Sequence, residues 1–329
     1  MTPFKYERAQ SPEAAIRLVT ADEQSRYLGG GTNLIDLMKE GVATATSLVD
    51  VTRLDLRQIT ETAGGGVRIG ALARNTETAN HPLVRKNYPL LSQAILAGAT
   101  MQIRNMATNA GNLLQRTRCV YFYDTATRCN KRQPGSGCDA FDGINRMHAL
   151  FGWSDQCVAV HPSDMAIGLA ALDAVVHVRG GDGQPRAIPF TEFHRLPGDE
   201  PQRDTTLKHG ELIEAIELPK SPFGERGYYL KVRDRASYAF ALISVAAAVE
   251  TDGNTIRQAR VALGGAAHKP WRATEAEKLL VGKPVSAESF AAAADAELKG
   301  ARPLSHNGYK VPLARHAIVR ALSRASGIA

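Results

Sequence analysis

The sequence predicts an α+β protein in three parts, and three observations carry that prediction. Short strand-like and helical runs alternate through the first 50 residues. A long middle region mixes both periodicities. Past about residue 220, three long strand-like runs precede three helical ones. The expected parts are a small α/β unit over 1–55, a mixed region over 56–222, and a C-terminal α+β domain over 223–329 with an antiparallel sheet and helices. With 329 residues, 44% of them apolar, the chain can bury more than one core.

The elements follow in order. Pro12–Thr20 keeps Ala15, Leu18 and Val19 at helical spacing, Ser11 can cap it, and proline suits the first helical position. Arg26–Leu28 reads as a strand that runs into GGGTN at 29–33. Leu34, Leu37 and Met38 then mark a helix that Gly41 ends. Strands are expected at 47–51 and at 67–72, the second alternating after a glycine turn at 64–66. Helix Pro89–Ala97 leads into a stretch bearing glycine, asparagine and threonine at 98–112. Segment 116–157 shows no period, and an ordered insertion of that length normally needs a function or a cross-link. A buried helix at 163–172 and a strand at 174–178 follow. The last third carries strands at 228–232, 240–249 and 256–263, then helices at 274–281, 287–297 and 313–326.

Composition excludes several functions. No apolar run approaches the length of a membrane-spanning helix, and the first residues show neither an apolar signal core nor a twin arginine. No membrane span and no signal on this chain are therefore expected. The net charge of +7 fits an anionic cofactor or an acidic partner. Nucleic acid is not expected, because no basic run exceeds two residues and no aromatic residues interleave with basic ones.

Two glycine-bearing motifs point to a phosphate. In GGGTN, consecutive glycines let backbone N–H groups face a pyrophosphate, and the next helix begins there. The contiguous glycines are neither a Rossmann nor a Walker pattern, and a tight turn with an Asn cap explains them equally well. The second motif, ATNAGNL at 107–113, pairs small residues with the Thr108 hydroxyl and could form a second wall of the same site, or a plain loop. Asp164 in HPSDM either caps the following helix, itself or through Ser163, or binds a polyol. Lys231 enters a strand beside an apolar run, where it could reach a flavin carbonyl or simply face solvent.

All four cysteines, Cys119, Cys129, Cys138 and Cys157, fall within 39 residues. Their gaps of nine, eight and eighteen residues contain no close pair of the zinc-site type and no ferredoxin run. Wide gaps suit a loop wrapped around an iron–sulfur cluster, with Arg116, Arg118, Arg128, Lys131 and Arg132 offsetting thiolate charge. Zinc, with His148 or His161 as substitute ligands, and four plain thiols are the other readings.

The order GGGTNLIDLMK, VRIGALARNT, RNMATNAGNL, HPSDMA, LKHGELIEAIELP and YLKVRDRASYAFALISVA resembles the FAD-binding (medium) subunits of the molybdenum hydroxylase, or xanthine oxidase, family along essentially the whole chain. GNLLQRTRC, NKRQPGSGC and VRDRASYAFAL resemble its periplasmic aldehyde oxidoreductase branch. The resemblance implies a PCMH-type (vanillyl-alcohol-oxidase-like) FAD domain of two subdomains, with a cluster insert at 116–157, and a C-terminal α+β domain. It implies that Leu28, Gly29, Gly30, Gly31, Thr32, Asn33 and Leu34 wrap the pyrophosphate of FAD, with Thr108 and Gly111 as the second wall. Asp164 would hold the ribityl chain, Ile213 would pack on the flavin, and Lys231 would face its pyrimidine edge. The four cysteines would hold a [4Fe–4S] cluster. Molybdopterin would sit on a large partner subunit and [2Fe–2S] clusters on a small one, in a heterotrimer that oxidises aldehydes and passes electrons through FAD to an external acceptor.

Tyr238-Ala239 stands where the family commonly has an acidic pair, which favours oxygen, ferredoxin or a quinone-like acceptor over NAD. The compartment implied is the periplasm, by co-export with a signal-bearing partner, or the cytoplasm. The alternatives are a flavin subunit of the 4-hydroxybenzoyl-CoA reductase type, a zinc-stapled binding module without redox chemistry, and a stand-alone flavin oxidase.

Overall fold

Three sheets organise the chain, whose computed structural model describes every residue except Asp182, Gly224, Glu225 and Ala329. The first sheet joins β1 (Lys5–Arg8), β2 (Arg26–Leu28) and β3 (Ser47–Asp50) in the order β1-β3-β2, all parallel. Parallel neighbours need crossovers, and helices Pro12–Thr20 and Leu34–Lys39 supply them. Ser11 caps the first of these by accepting from the Ala14 N–H at 3.1 Å.

The second sheet is antiparallel throughout. It contains β4 (Ile59–Glu61), β5 (Val67–Gly70), β6 (Val175–Arg179), β7 (Pro185–Pro189) and β8 (Leu212–Leu218), in the order β4-β5-β8-β6-β7. The third joins β9 (Gly227–Val232), β10 (Ile243–Asp252), β11 (Thr255–Gly264) and β12 (Trp271–Arg272), also antiparallel. Strand β10 is buried on both faces. Val245, Ala247 and Val249 meet the helices Thr274–Leu280, Ala287–Leu298 and Lys310–Ser326, whereas Ala246 and Ala248 join the core of the middle region. That double burial is why its sequence is continuously apolar instead of alternating.

Helix Asp164–Ala171 is buried along its whole length, between helix Pro89–Ala97 and the third sheet. Its first residue therefore starts deep in the molecule, where the middle region meets the last third.

Three expectations shift. The 98–112 stretch holds two short helices, Met101–Met106 and Asn109–Leu113, because Thr100 and Thr108 accept from the N–H groups of Ile103 (3.3 Å) and Gly111 (3.1 Å). The strand expected from 240 begins at Ile243. The last helix begins at Lys310, since Pro312 lies in its first turn, where a missing N–H costs nothing. Segment 116–157 is irregular apart from one turn, Val120–Tyr123. Among the described residues, no helix is long and apolar enough to cross a membrane.

Asp50 ends β3 and ties the first sheet together. It accepts from Tyr6 Oη, from Arg8 Nε at 3.0 Å and from the Thr52 N–H at 2.8 Å. Burial pushes its pKa up, but these donors outweigh burial and hold it down at about 2, against 3.8 unfolded. A depressed carboxyl stabilises above its unfolded pKa, and that contribution is lost as pH falls through the folded one. Urea melts of Asp50→Asn are expected to show a loss of about 2 kcal/mol at pH 7 that closes as pH falls from 4 towards 2. A loss of equal size at pH 2 would deny the carboxylate its role.

Candidate functional site

The glycine loop leaves β2 and turns into helix Leu34–Lys39 with Gly31 in the left-handed region, φ 73°. Gly29 and Gly30 lie against the second motif. A Cβ on Gly30 would stand 2.0 Å from the Met106 carbonyl oxygen, and one on Gly29 would stand 2.9 Å from Thr108 Oγ1. Arg74 Nη1 donates to the same Met106 carbonyl, so that wall is braced from behind. The two motifs thus abut, and Thr32 and Asn33 of the first and Ala107, Gly111 and Asn112 of the second border one cleft.

The cleft encloses about 450 Å³, and Thr32, Asn33, Gly111, Asp164 and Lys231 all line it. Gly29, Gly30, Gly31 and Thr108 do not line it, and neither do Leu28 and Leu34. Leu28 and Leu34 pack with Met38, Ala45 and Leu48 beneath the loop. Ile213 is also absent from the cleft wall. It is buried in the core of the middle region, in register with Val178, because β8 is interior to the second sheet. Asn33 does not cap its helix. Its Oδ1 accepts from the Arg116 N–H at 2.9 Å and joins the glycine loop to the cysteine segment.

Asp164 and Lys231, distant in sequence, form a buried ion pair of 2.8 Å. The helix cap is Ser163, whose Oγ accepts from the Ala166 N–H at 3.0 Å. Asp164 is thereby free to accept from Lys231 Nζ and, at 2.6 Å, from Tyr229 Oη. Lys231 Nζ also donates to the Ala97 carbonyl at 3.1 Å. Sequence reasoning missed Tyr229. The available signal was its spacing of two from Lys231, which puts both on one face of β9. It also missed the amide chain that holds Gly111 and its neighbours. Ser163 Oγ donates to Asn112 Oδ1, Asn112 Nδ2 to Asn75 Oδ1, Asn75 Nδ2 to Asn109 Oδ1, and Asn109 Nδ2 to Thr78 Oγ1.

The cleft offers donors to an anion. Arg104 and Arg118 line it, and each has a buried Nε–H with no protein partner. A second chamber, also of about 450 Å³ and mainly apolar, shares Arg118, Met147, Pro162, Ser163, Asp164 and Phe240 with the first. Tyr238 stands on the rim of the first cleft in the left-handed region, φ 51°, and Arg235 Nε donates to its carbonyl at 2.9 Å.

The cysteine segment forms one wall of the second chamber through Cys119 and His148, whose Sγ and Nε2 lie 3.1 Å apart. All four cysteines are free. Cys129 and Cys138 face each other across a short antiparallel bridge. Burial pushes the Cys119 thiol up to about 12 and Cys157 up to about 11, and Cys138 rises too. Cys129 adds to each of these rises, as do Cys157 on Cys119 and Cys138 on Cys157. Burial, then the Lys310 charge, lowers His148 to about 4, so it stays neutral. Among the described residues, no three His, Cys, Asp or Glu groups are placed to hold a single metal ion. One zinc would need its thiolates about 3.8 Å apart. A cubane cluster is larger than an ion and takes a wider set. All four thiols are free and lie in this one irregular segment.

Residues 2–221 match the family model described as the FAD binding domain in molybdopterin dehydrogenase, and residues 228–325 match the CO dehydrogenase flavoprotein C-terminal domain. The aldehyde oxidoreductase FAD-binding subunit PaoB of Escherichia coli (strain K12) is 48% identical over 325 residues, 99% of each chain. The glyceraldehyde dehydrogenase medium chain of Sulfolobus acidocaldarius is 29% identical over 283 residues, 86% of this chain and 83% of the relative. Carbon monoxide dehydrogenase from Hydrogenophaga pseudoflava has a solved chain that superposes with a TM-score of 0.78 at 26% identity, covering 100% of this chain and 99% of that one. The expected fold of an FAD-binding region followed by a C-terminal α+β domain is borne out. The chain belongs to the FAD-binding medium subunits of the molybdenum hydroxylase family, a family of oxidoreductases.

Proposed function

We propose that this chain carries FAD and a [4Fe–4S] cluster in a heterotrimeric molybdenum-dependent aldehyde oxidoreductase, and that it forms the electron exit of that enzyme. FAD supplies the step between one-electron carriers and an external acceptor when bound. The large partner would hold molybdopterin and the small one the [2Fe–2S] clusters. The 48% identity to an aldehyde oxidoreductase FAD-binding subunit supports the aldehyde reading. The three sheets support a division at 1–55, 56–222 and 223–329.

The chain's own residues have separate tasks. The backbone of 29–32 and the capped turn at Thr108–Gly111 cradle the pyrophosphate between them. The unpartnered Nε–H groups of Arg104 and Arg118 add donors for an anion. Asp164, oriented by Tyr229 and Lys231, accepts from the ribityl hydroxyls. Lys231 keeps a buried ammonium in the cleft, which would offset negative charge on a bound flavin. Phe240 and Met147 line both chambers. Cys119, Cys129, Cys138 and Cys157 hold the cluster. The observation that carries this last assignment is four free thiols gathered in a single irregular segment, two of them paired across an antiparallel bridge.

Anaerobic purification with iron, zinc and released FAD quantified tests the proposal. The expected result is about four irons and one FAD per chain. FAD with one zinc would remove the cluster, and a flavin-free folded chain would remove the whole reading. Cys129→Ser is expected to lose iron and to open 116–157 to protease while flavin stays bound. Flavin reduction by substrate at the wild-type rate in that variant would take the cluster off the electron path and leave it as a brace.

A further inference from the structure

The second, mainly apolar chamber has an apolar mouth. Ile144, Val120 and Phe240 line it and are 71%, 64% and 44% exposed. Three large apolar side chains left open around one space mark a place where an apolar molecule enters. Val160 and Ile167 continue the apolar wall. One polar ring interrupts it. His161 lines the chamber and is more than nine-tenths buried. No described residue hydrogen-bonds its ring, and Nε2 is buried without a partner. Burial, then the neighbouring His194, holds its pKa well below the usual range, so the ring is neutral and carries one N–H. Arg146, which lines this chamber and not the cleft, is already matched. Its two Nη atoms donate to the Asp234 carboxylate at 2.9 and 2.7 Å, and an anionic ligand would have to break that pair.

We propose that this chamber binds the external electron acceptor and that the acceptor is a quinone, with its ring between the apolar walls and one carbonyl oxygen accepting from His161. The proposal rests on FAD occupying the adjoining cleft. The two spaces share Met147, Pro162, Ser163, Asp164 and Phe240, so their occupants would be neighbours. A quinone is flat, uncharged and apolar except at its carbonyls. Those properties match a chamber of about 450 Å³ with apolar walls and one uncharged donor. Conversion of the quinone to the hydroquinone takes two electrons and two protons, the same that a fully reduced flavin yields on reoxidation.

The test is calorimetric titration of the purified, flavin-loaded full-length chain with duroquinone, which has no free ring position for a thiol to attack. The comparison ligand is p-xylene, a ring without carbonyls. The wild type is expected to bind duroquinone and to prefer it to p-xylene. Ile144→Glu puts a carboxylate at the exposed mouth and is expected to weaken duroquinone binding about tenfold with flavin content unchanged. His161→Phe keeps a ring and removes the N–H, and is expected to weaken duroquinone about tenfold and p-xylene not at all. No duroquinone binding, or binding that Ile144→Glu leaves unchanged, would overturn the proposal. So would unchanged duroquinone binding in a folded His161→Phe variant. Where that variant does not fold, equal wild-type affinity for the two rings would overturn it. Duroquinone binding only after flavin is stripped would make the chamber part of the flavin seat and also defeat the proposal. A wild-type chain without flavin defeats the FAD reading itself, an outcome separate from absent quinone binding.

Discussion

Gly30→Ala is expected to give a folded chain that retains less than a tenth of the wild-type flavin. The added Cβ would stand 2.0 Å from the Met106 carbonyl oxygen and 2.7 Å from its carbon. Neither atom can give way cheaply. The carbonyl is backbone, and Arg74 holds it in place. The loop must then back away from 106–108, and the two walls that cradle the pyrophosphate separate. Overpacking of this kind costs about 1–3 kcal/mol of stability, which a chain of this size survives. A cofactor gripped from both sides loses its geometry, and a one-ångström displacement is costly for binding. Flavin absorbance per chain after gel filtration measures the effect. Gly64→Ala is the control, since nothing lies within 4 Å of a Cβ there. Full flavin occupancy in Gly30→Ala would disprove the two-walled cradle.

Asp164→Asn is expected to be the most destabilising single change at the site. It leaves the Lys231 ammonium, 5% exposed, without its carboxylate. Breaking one side of a buried pair costs about 3–5 kcal/mol, because the remaining charge stays desolvated. Tyr229 also loses a charged acceptor at 2.6 Å. The double variant Asp164→Asn with Lys231→Met removes both charges and is expected to recover most of the thermal stability. Flavin affinity is expected to remain low in that variant, because neither the ribityl acceptor nor the ammonium returns. Thermal melts with flavin titration separate the two effects. Recovery of both properties together would show the pair to be a structural strut only.

Much of the site was legible in one dimension because its parts are local. A glycine run between a strand and a helix, a threonine three residues before a glycine, and cysteines crowded into one segment each need only neighbours in sequence to be noticed. Ser11, Gly41 and the 64–66 turn were legible for the same reason, since caps and turns satisfy backbone groups a few residues away. The burial of Ile213 in the middle core was not legible, because a strand's sequence does not declare which neighbours its faces meet. Tyr229, Asn75 and Arg104 went unnoticed because their roles depend on partners more than 60, 30 and 5 residues away respectively.

The sequence by itself determined the order of elements, the two glycine-bearing motifs, the family and the unusual cysteine segment. Tertiary structure alone decided that Gly30 touches the Met106 backbone, that Asp164 and Lys231 pair, and that Lys131 meets Asp204 and His268. The physical reason is range. Backbone propensity and capping act over a few residues and leave a periodic mark in the chain. Close approach, desolvation and charge pairing act between elements that only packing brings together.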